Sequence, residues 1–286
     1  MTTRFTIETF SPKERLLIAD VSLEDGGAFP MHNHDFSELA IVLRGTGTHM
    51  VEADSFAIRA GDVFVIHGNT VHGFSDAREL TLCNIMYDPN RYPGFEARAS
   101  GLPGFHALFQ LEPHYQRQGI FGSRLRLGPA SMARLAGTLD SLRSEFAQKS
   151  PGYTNLIAAH FAQLVIHLAR SYNAHDDVAD SRVWRLANTI AYMDENFRKP
   201  LAITDLAGRA QLSPSHFCRE FKAAMGTPPI DYMLRRRIAE ACELMREPER
   251  SLTAIGIEVG FTDGNYFSRQ FKRVMGLAPR DYRRSL

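Results

Sequence analysis

The sequence predicts an α+β protein of two domains. An N-terminal antiparallel β-barrel with two following helices precedes a C-terminal all-α domain, in which two helix-turn-helix units are joined by a long helix. Three observations lead there: short β-rich runs set between glycines in the first third, a 16-residue segment near the C-terminus that recurs 50 positions later, and a charge split along the chain. With 286 residues, 44% of them hydrophobic, the chain can bury two cores.

The barrel is read from residues 31 to 74, "MHNHDFSELAIVLRGTGTHMVEADSFAIRAGDVFVIHGNTVHGF". "ELAIVLRG" and "DVFVIHG" are short runs rich in β-formers, and Gly45, Gly47, Gly61 and Gly68 mark turns. Strands this short and close suggest an antiparallel barrel or roll. His32, His34 and Glu38 share parity, so an extended 32–38 would put all three on one face. With His72 they allow three readings. Three imidazoles and a carboxylate suit a divalent metal. They also suit a barrel mouth that hydrogen-bonds a small hydroxylated ligand. The third reading is packed, satisfied histidines at the rim.

Two helices follow. "ASMARLAGTLDSLRSEFAQ" places Met132, Leu135, Leu139, Leu142 and Phe146 at steps of 3 and 4, a narrow apolar seam. "NLIAAHFAQLVIHLARSY" (155–172) is apolar over a wider arc. The pair either covers the barrel or forms a dimer seam. "NAHDDVADS" (173–181) is short, polar and acidic, and reads as a linker. The expected domains are therefore 1–128 for the barrel, 129–172 for the helices and 182–286 for the helical domain.

The repeat defines the last domain. In "FCREFKAAMGTPPIDY" (217–232) and "FSRQFKRVMGLAPRDY" (267–282), nine residues recur at a spacing of 50, from Phe217/Phe267 to Tyr232/Tyr282. One supersecondary unit is used twice. Upstream, "ITDLAGRAQLS" (203–213) matches "LTAIGIEVGFT" (252–262) at a spacing of 49, so the second turn holds one extra residue. Ile203, Leu206, Ala207 and Ala210 follow helical spacing, as do Leu252, Ile255, Gly256 and Val259. Ser213-Pro214 reads as an N-cap with proline at the first helical position. Each copy is a short helix, a tight turn and a second amphipathic helix. Ala207 and Gly256 are the small residues at the helix crossing. "PIDYMLRRRIAEACELMRE" (229–247) reads as the connecting helix, about 27 Å long.

The outer faces of the second helices carry Ser215, His216, Cys218, Arg219 and Lys222 in one copy. In the other they carry Asn265, Tyr266, Ser268, Arg269 and Lys272. Early positions on such helices meet base edges, and flanking Lys and Arg meet phosphates. Residues 182–286 hold 18 Lys and Arg against 12 Asp and Glu, a net of +6, while residues 1–181 carry −5. A basic tail on an acidic body fits a polyanion partner, double-stranded DNA. No run of about 18 apolar residues exists to span a membrane. The first residues lack the order of a secretory signal. Cys83, Cys218 and Cys242 show no paired spacing, so neither disulfides nor a zinc knuckle is expected, and a reducing cytoplasm fits.

These residues carry a resemblance. The C-terminal hundred or so residues, above all "GFTDGNYFSRQFKRVMGLAPRDYR" (260–283), are similar to the DNA-binding domain of AraC/XylS-type transcription regulators. The resemblance implies base-facing roles for Ser215, Cys218, Arg219, Asn265, Tyr266 and Arg269. The spacing Gly26, His32-x-His34, Glu38, Gly45 resembles the first cupin motif, and Gly61 to His72 resembles the second with His67 and Asn69 at its proline and glycine. In metal cupins those histidines and that glutamate are ligands; in AraC-type regulators the barrel generally senses an effector. "RGTGTH…GDVFVIHG…H…LTLCNIMYDP" and "PGFEARASGLPGFHALFQLEPHY" look like the rhamnose-type regulators of the family. The resemblance implies a transcription activator that senses a sugar through His32, His34, Glu38 and His72, with no metal or cofactor. It further implies a homodimer that works with RNA polymerase. The alternative is a metal-dependent cupin enzyme with a helical appendage.

Overall fold

The computed structural model describes residues 3–89, 99–117, 125–173 and 182–286. Two compact units divide at Ala187/Asn188. The division falls inside a helix, since Trp184 stacks on Tyr172 of the preceding helix with ring centroids 5.9 Å apart. The expected linker, 173–181, lies outside the described residues apart from Asn173, the last residue of its helix.

The first unit holds strands β1 (Thr3–Phe5), β2 (Leu16–Leu23), β3 (Phe29–His34), β4 (Ser37–Val51), β5 (Asp54–Arg59), β6 (Asp62–Ile66), β7 (His72–Tyr87) and β8 (Leu125–Arg126). They form one sheet in the order β1-β3-β7-β4-β6-β8, with β2 also on β7 and β5 also on β4. The expected barrel is corrected: the sheet is curled but not closed. Its outermost strands are three and two residues long, and β1 runs parallel to β3, so neither edge offers a ladder that could seal it. The curl comes from β4 and β7, 15 and 16 residues long. Their register shifts between Val42 and Arg44, Arg44 and Thr46, and Thr46 and Thr48, bending one long pair into two layers. Ala40, Val42, Ile58, Phe64, Ile66, Phe74 and Leu82 pack between those layers.

The helices of this unit are α1 (Ile7–Phe10), α2 (Pro103–His106), a π turn (Ala107–Leu111), α3 (Glu112–Gln116), α4 (Pro129–Gln148) and α5 (Tyr153–Asn173). They cover the outer face of the sheet. Tyr87 of β7 meets Phe161 of α5 at 5.0 Å between rings, and Arg143 of α4 donates to Asp20 of β2 at 2.8 Å. The seam on α4 is used here: Leu135, Leu139 and Leu142 are buried within the chain, and only Met132 and Phe146 at its ends are part-exposed. Its apolar spacing is thus explained by cover for the sheet and by α5.

The second unit begins within α6 (Arg182–Glu195) and continues through α7 (Ile203–Arg209), α8 (Pro214–Met225), α9 (Pro229–Leu244), α10 (Leu252–Glu258), α11 (Gly264–Met275) and α12 (Pro279–Arg284). Ser213 caps α8, its hydroxyl accepting from the His216 N–H, with proline at the first helical position. Asp263 caps α11 in the same way, accepting from the Tyr266 N–H at 2.7 Å. Both helices end on left-handed glycines, Gly226 and Gly276. Phe217, Phe221, Phe267 and Phe271 are fully buried on the inner stripe. The turns match as well: the Leu212 N–H donates to the Ala207 carbonyl, and the Phe261 N–H to the Gly256 carbonyl. The extra residue of the second copy is therefore Thr262, between Phe261 and the cap. The connecting helix α9 is 16 residues, about 24 Å. It stops short of the expected 247 because Pro248 disfavours helical backbone before it.

Candidate functional site

His32 and His34 end β3, Asp35 and Phe36 turn the chain, and Glu38 is the second residue of β4. The expected single extended run from 32 to 38 is thus broken, and the three side chains converge across a turn instead of along one strand. His72 joins because it opens β7 and pairs directly with His32 across the β3–β7 ladder. Their rings lie 4.1 Å apart, and those of His34 and His72 5.0 Å. All four side chains are buried.

The hydrogen bonds fix what these groups offer. A carbonyl only accepts, so each ring nitrogen bound to one carries the proton. His32 Nδ1 donates to the Pro30 carbonyl at 3.0 Å, His34 Nδ1 to Phe36 at 2.8 Å, and His72 Nδ1 to Thr70 at 3.2 Å. In a neutral ring the opposite nitrogen is then a lone-pair acceptor. His34 Nε2 and His72 Nε2 are buried and make no hydrogen bond. Glu38 Oε2 lies 3.5 Å from the first and 3.8 Å from the second, too far to bond either well. Burial pushes His72 down to about 4 and lowers His32, which keeps both neutral near pH 7. Burial alone would raise Glu38, but the neighbouring His34, His72 and His32 outweigh it and hold the carboxyl below its ordinary value. His32 and His72 thus present lone pairs at Nε2 beside the Glu38 carboxylate, so the cluster is rich in acceptors.

A cavity of about 200 Å³ opens beside it. His32, Glu38 and Asn84 supply its polar lining, and Phe5, Phe29 and Phe74 are among its apolar walls. Asn84 was not foreseen. Its Oδ1 is buried without a partner, one more acceptor. The signal was a lone amide in the otherwise apolar "LTLCNIMY". His49 was also missed; it stacks on Phe64 and Phe74 at 4.5 and 5.0 Å and so serves as a core aromatic. An acceptor cluster needs an occupant that brings donors or positive charge. A divalent cation is one such occupant: the ligand atoms of His32, Glu38 and His72 lie within 4.8 Å of one another, and each imidazole is oriented through its Nδ1 as metal ligands commonly are. A polyol, whose hydroxyls donate, is another.

The second unit presents the other candidate surface. Ser215, Arg219 and Lys222 on α8, and Asn265, Tyr266, Arg269 and Lys272 on α11, are exposed. His216 and Cys218 are half-buried, and His216 Nε2 sits 3.3 Å from Glu220 Oε1 of its own helix. Ser268 bonds back to the Gly264 carbonyl at 2.8 Å. The Tyr266 ring leans on Phe261, centroids 5.8 Å apart, and the Arg269 guanidinium lies 6.0 Å from its face. Two matched helices thus expose an arginine and a lysine each above buried phenylalanines, and α11 adds the Asn265 amide.

Arg237 of α9 sets the frame between the copies. Its guanidinium donates to the carbonyls of Phe197 (2.6 Å), Gly260 (2.7 Å) and Lys199 (2.9 Å). In sequence it was one of three consecutive arginines and carried no distinguishing mark.

Residues 24–165 match the family model of the AraC-like ligand binding domain, and residues 206–285 match a helix-turn-helix domain model. The transcriptional activator RhaR of Escherichia coli strain K12 is 29% identical over 274 residues, covering 96% of this chain and 93% of that protein. RhaR of Salmonella schwarzengrund is 29% identical over 272 residues, covering 95% and 92%. Among solved structures, an AraC-type DNA-binding domain from Chromobacterium violaceum is 30% identical, covers 35% of this chain and 88% of its own, and has a TM-score of 0.33. ToxT from Vibrio cholerae is 13% identical over 95% of this chain and 99% of its own, with a TM-score of 0.35. The enzyme alternative finds no support in RhaR, a transcriptional activator by name. The chain belongs to the AraC family and is a DNA-binding transcription regulator with a ligand-binding sensor unit.

Proposed function

We propose that this regulator responds to a small polyhydroxylated effector, a sugar, held by His32, His34, Glu38 and His72 without a metal. The observation that carries the reading is an acceptor-rich lining: His32, Glu38 and the unpartnered Asn84 Oδ1 face a cavity of about 200 Å³, and the unpartnered Nε2 atoms of His34 and His72 belong to the same cluster. Sugar hydroxyls supply the missing donors, and the phenylalanine walls suit a sugar's C–H face. Binding shifts the regulator between states to the extent that the effector prefers one of them. Ser215, His216, Cys218, Arg219, Lys222, Asn265, Tyr266, Arg269 and Lys272 form the DNA-contacting set. Within it, exposure favours Arg219, Asn265 and Arg269 for base edges and Lys222 and Lys272 for phosphates. His216 and Cys218 are the weaker members, being half-buried. Activation, a homodimer, contact with RNA polymerase and a cytoplasmic setting belong to the same proposal. The first is supported by the names of the relatives and the others by family resemblance alone.

The test uses purified full-length protein. Metal content is measured, the protein is stripped with chelator, and sugars are titrated while binding to the DNA upstream of its own and neighbouring genes is followed. Retained sugar-dependent binding after stripping, weakened by Glu38→Gln, supports the reading. Loss on stripping with recovery on one equivalent of metal replaces it with a metal centre. Insensitivity to both changes removes the four residues from effector binding.

A further inference from the structure

A second cavity, of about 400 Å³, lies where the start of α4 meets the end of α5 over β8. Its lining is built from two helical triplets that face each other. Ser131, Arg134 and Leu135 stand at i, i+3 and i+4 on α4, and His167, Arg170 and Ser171 stand at the same offsets on α5. Arg126 of β8 closes the third side and Leu127 adds apolar floor. Among the described residues, no acidic side chain lines the cavity. Arg126 is held by Asp62 at 2.6 Å, whereas Arg134 meets only the Ser131 hydroxyl at 2.9 Å. Two guanidiniums are left with no described carboxylate against them. The His167 Nδ1 is buried and has no partner.

The backbone adds to this charge. Gly128 caps α4 with no side-chain hydrogen bond, and Pro129 follows at the first helical position. The first free N–H groups of a 20-residue helix therefore open at the rim beside Ser131. Planar guanidiniums and helix N–H groups converging on one hollow are what a phosphate recognises. The hollow is larger than the anion alone requires and sits in the range of small-ligand pockets.

We propose that this cavity is a second ligand site, for a small metabolite bearing a phosphomonoester, separate from the cavity beside Glu38. Arg134 and Arg170 clamp the phosphate, the α4 N-terminus and the two serines take its remaining oxygens, and the organic body lies over Leu127 and Leu135. A regulator so built receives two chemical inputs through one unit.

The test is calorimetric titration of the full-length protein with three probes: inorganic phosphate, glucose 6-phosphate and adenosine 5′-monophosphate, with glucose as the uncharged control. At least one phosphorylated probe binds saturably while glucose gives no heat at this site. The Arg134→Gln/Arg170→Gln double variant weakens that binding by at least about tenfold. Arg78→Gln, an exposed arginine elsewhere on the same unit, leaves it unchanged. Glu38→Gln leaves it unchanged too, which separates this site from the effector cluster. Circular dichroism checks that the double variant is folded; if it is not, Arg170→Gln alone carries the test at the end of its helix. The ranking of the probes names the source of the phosphate. No saturable binding of any probe up to about 10 mM, or binding that survives loss of the arginines, overturns the assignment.

Discussion

Replacing Gly256 by alanine puts a methyl group where Phe267 already stands. The new Cβ would lie 2.8 Å from Phe267 Cγ and 2.9 Å from both its Cβ and Cδ1. The Phe267 Cβ is fixed by the backbone, so no rotamer change clears that contact. The ring is fully buried against Phe261 and Phe271, at 5.2 and 5.6 Å between centroids. The backbone of α11 must shift. Overpacking of this kind costs about 1–3 kcal/mol, and three contacts under 3.0 Å, one of them to the fixed Cβ, put it near 3. Alanine returns about 1 kcal/mol of helix propensity. The net loss is about 2 kcal/mol, which for a unit of roughly a hundred residues lowers its melting transition by about 8 °C. Scanning calorimetry of the full chain reads this directly, and operator binding well below the melt falls because α11 has moved. The equivalent position in the first copy holds the buried Ala207, so Ala207→Gly costs about 1 kcal/mol of propensity and about 1 kcal/mol more for the lost buried methyl. A Gly256→Ala protein that melts at or above the parent temperature would show that the close crossing does not set this turn.

On α11, Arg269→Ala is expected to cost about 1–3 kcal/mol on the cognate site and relax preference at one base pair, while Lys272→Ala weakens all sequences evenly and lowers the salt slope by about one; filter or fluorescence binding over a salt series distinguishes them. Arg237→Ala removes three charge-assisted bonds to carbonyls and destabilises the helical unit by about 3 kcal/mol, read by urea unfolding. Leu139→Glu places a carboxylate at a position 2% exposed and unfolds the sensor unit, where a monomeric but folded product would show the seam free for a partner copy. His72 is held near 4 against an ordinary value of 6.5. The unfolded chain thus binds its proton first as pH falls, so this stabilisation is present above 6.5 and is lost between 6.5 and 4. Thermal melts across that window lose up to about 1.4 kcal/mol per pH unit for this group, and His72→Gln flattens the slope.

The helical unit was legible nearly residue by residue because its information is local. A cap, a proline and two phenylalanines four apart specify α8, and the same pattern 50 residues on removes the ambiguity of a single copy. The sensor was legible only in part. Its site residues come from three strands, and the parity argument for His32, His34 and Glu38 gathered the right side chains by a path the turn at Asp35–Phe36 does not follow. Asn84 lies twelve residues past His72 on β7, outside any motif, and is brought in by the β7 register alone. The seam on α4 shows the limit of periodicity: steps of 3 and 4 report that a stripe is buried, not which surface buries it. Closure of a sheet is likewise a property of its edges, and two- and three-residue edge strands leave almost no trace in sequence.

Arg237 has a consequence for the DNA that this regulator can use. One side chain grips the loop that precedes the first helix-turn-helix unit and the turn inside the second. Together with a continuous α9, it makes the pair of reading heads behave as a calliper of fixed opening. In regulators whose heads hang on loose tethers, a promoter tolerates drift in the gap between sub-sites. Here a single inserted base pair would rotate one sub-site by about a tenth of a turn and move it off its head. Promoters under such a protein are expected to exchange bases within each sub-site while keeping their internal spacing constant, and operator binding with one base pair inserted between sub-sites checks this. A search for its targets should therefore hold the gap constant and let the letters vary.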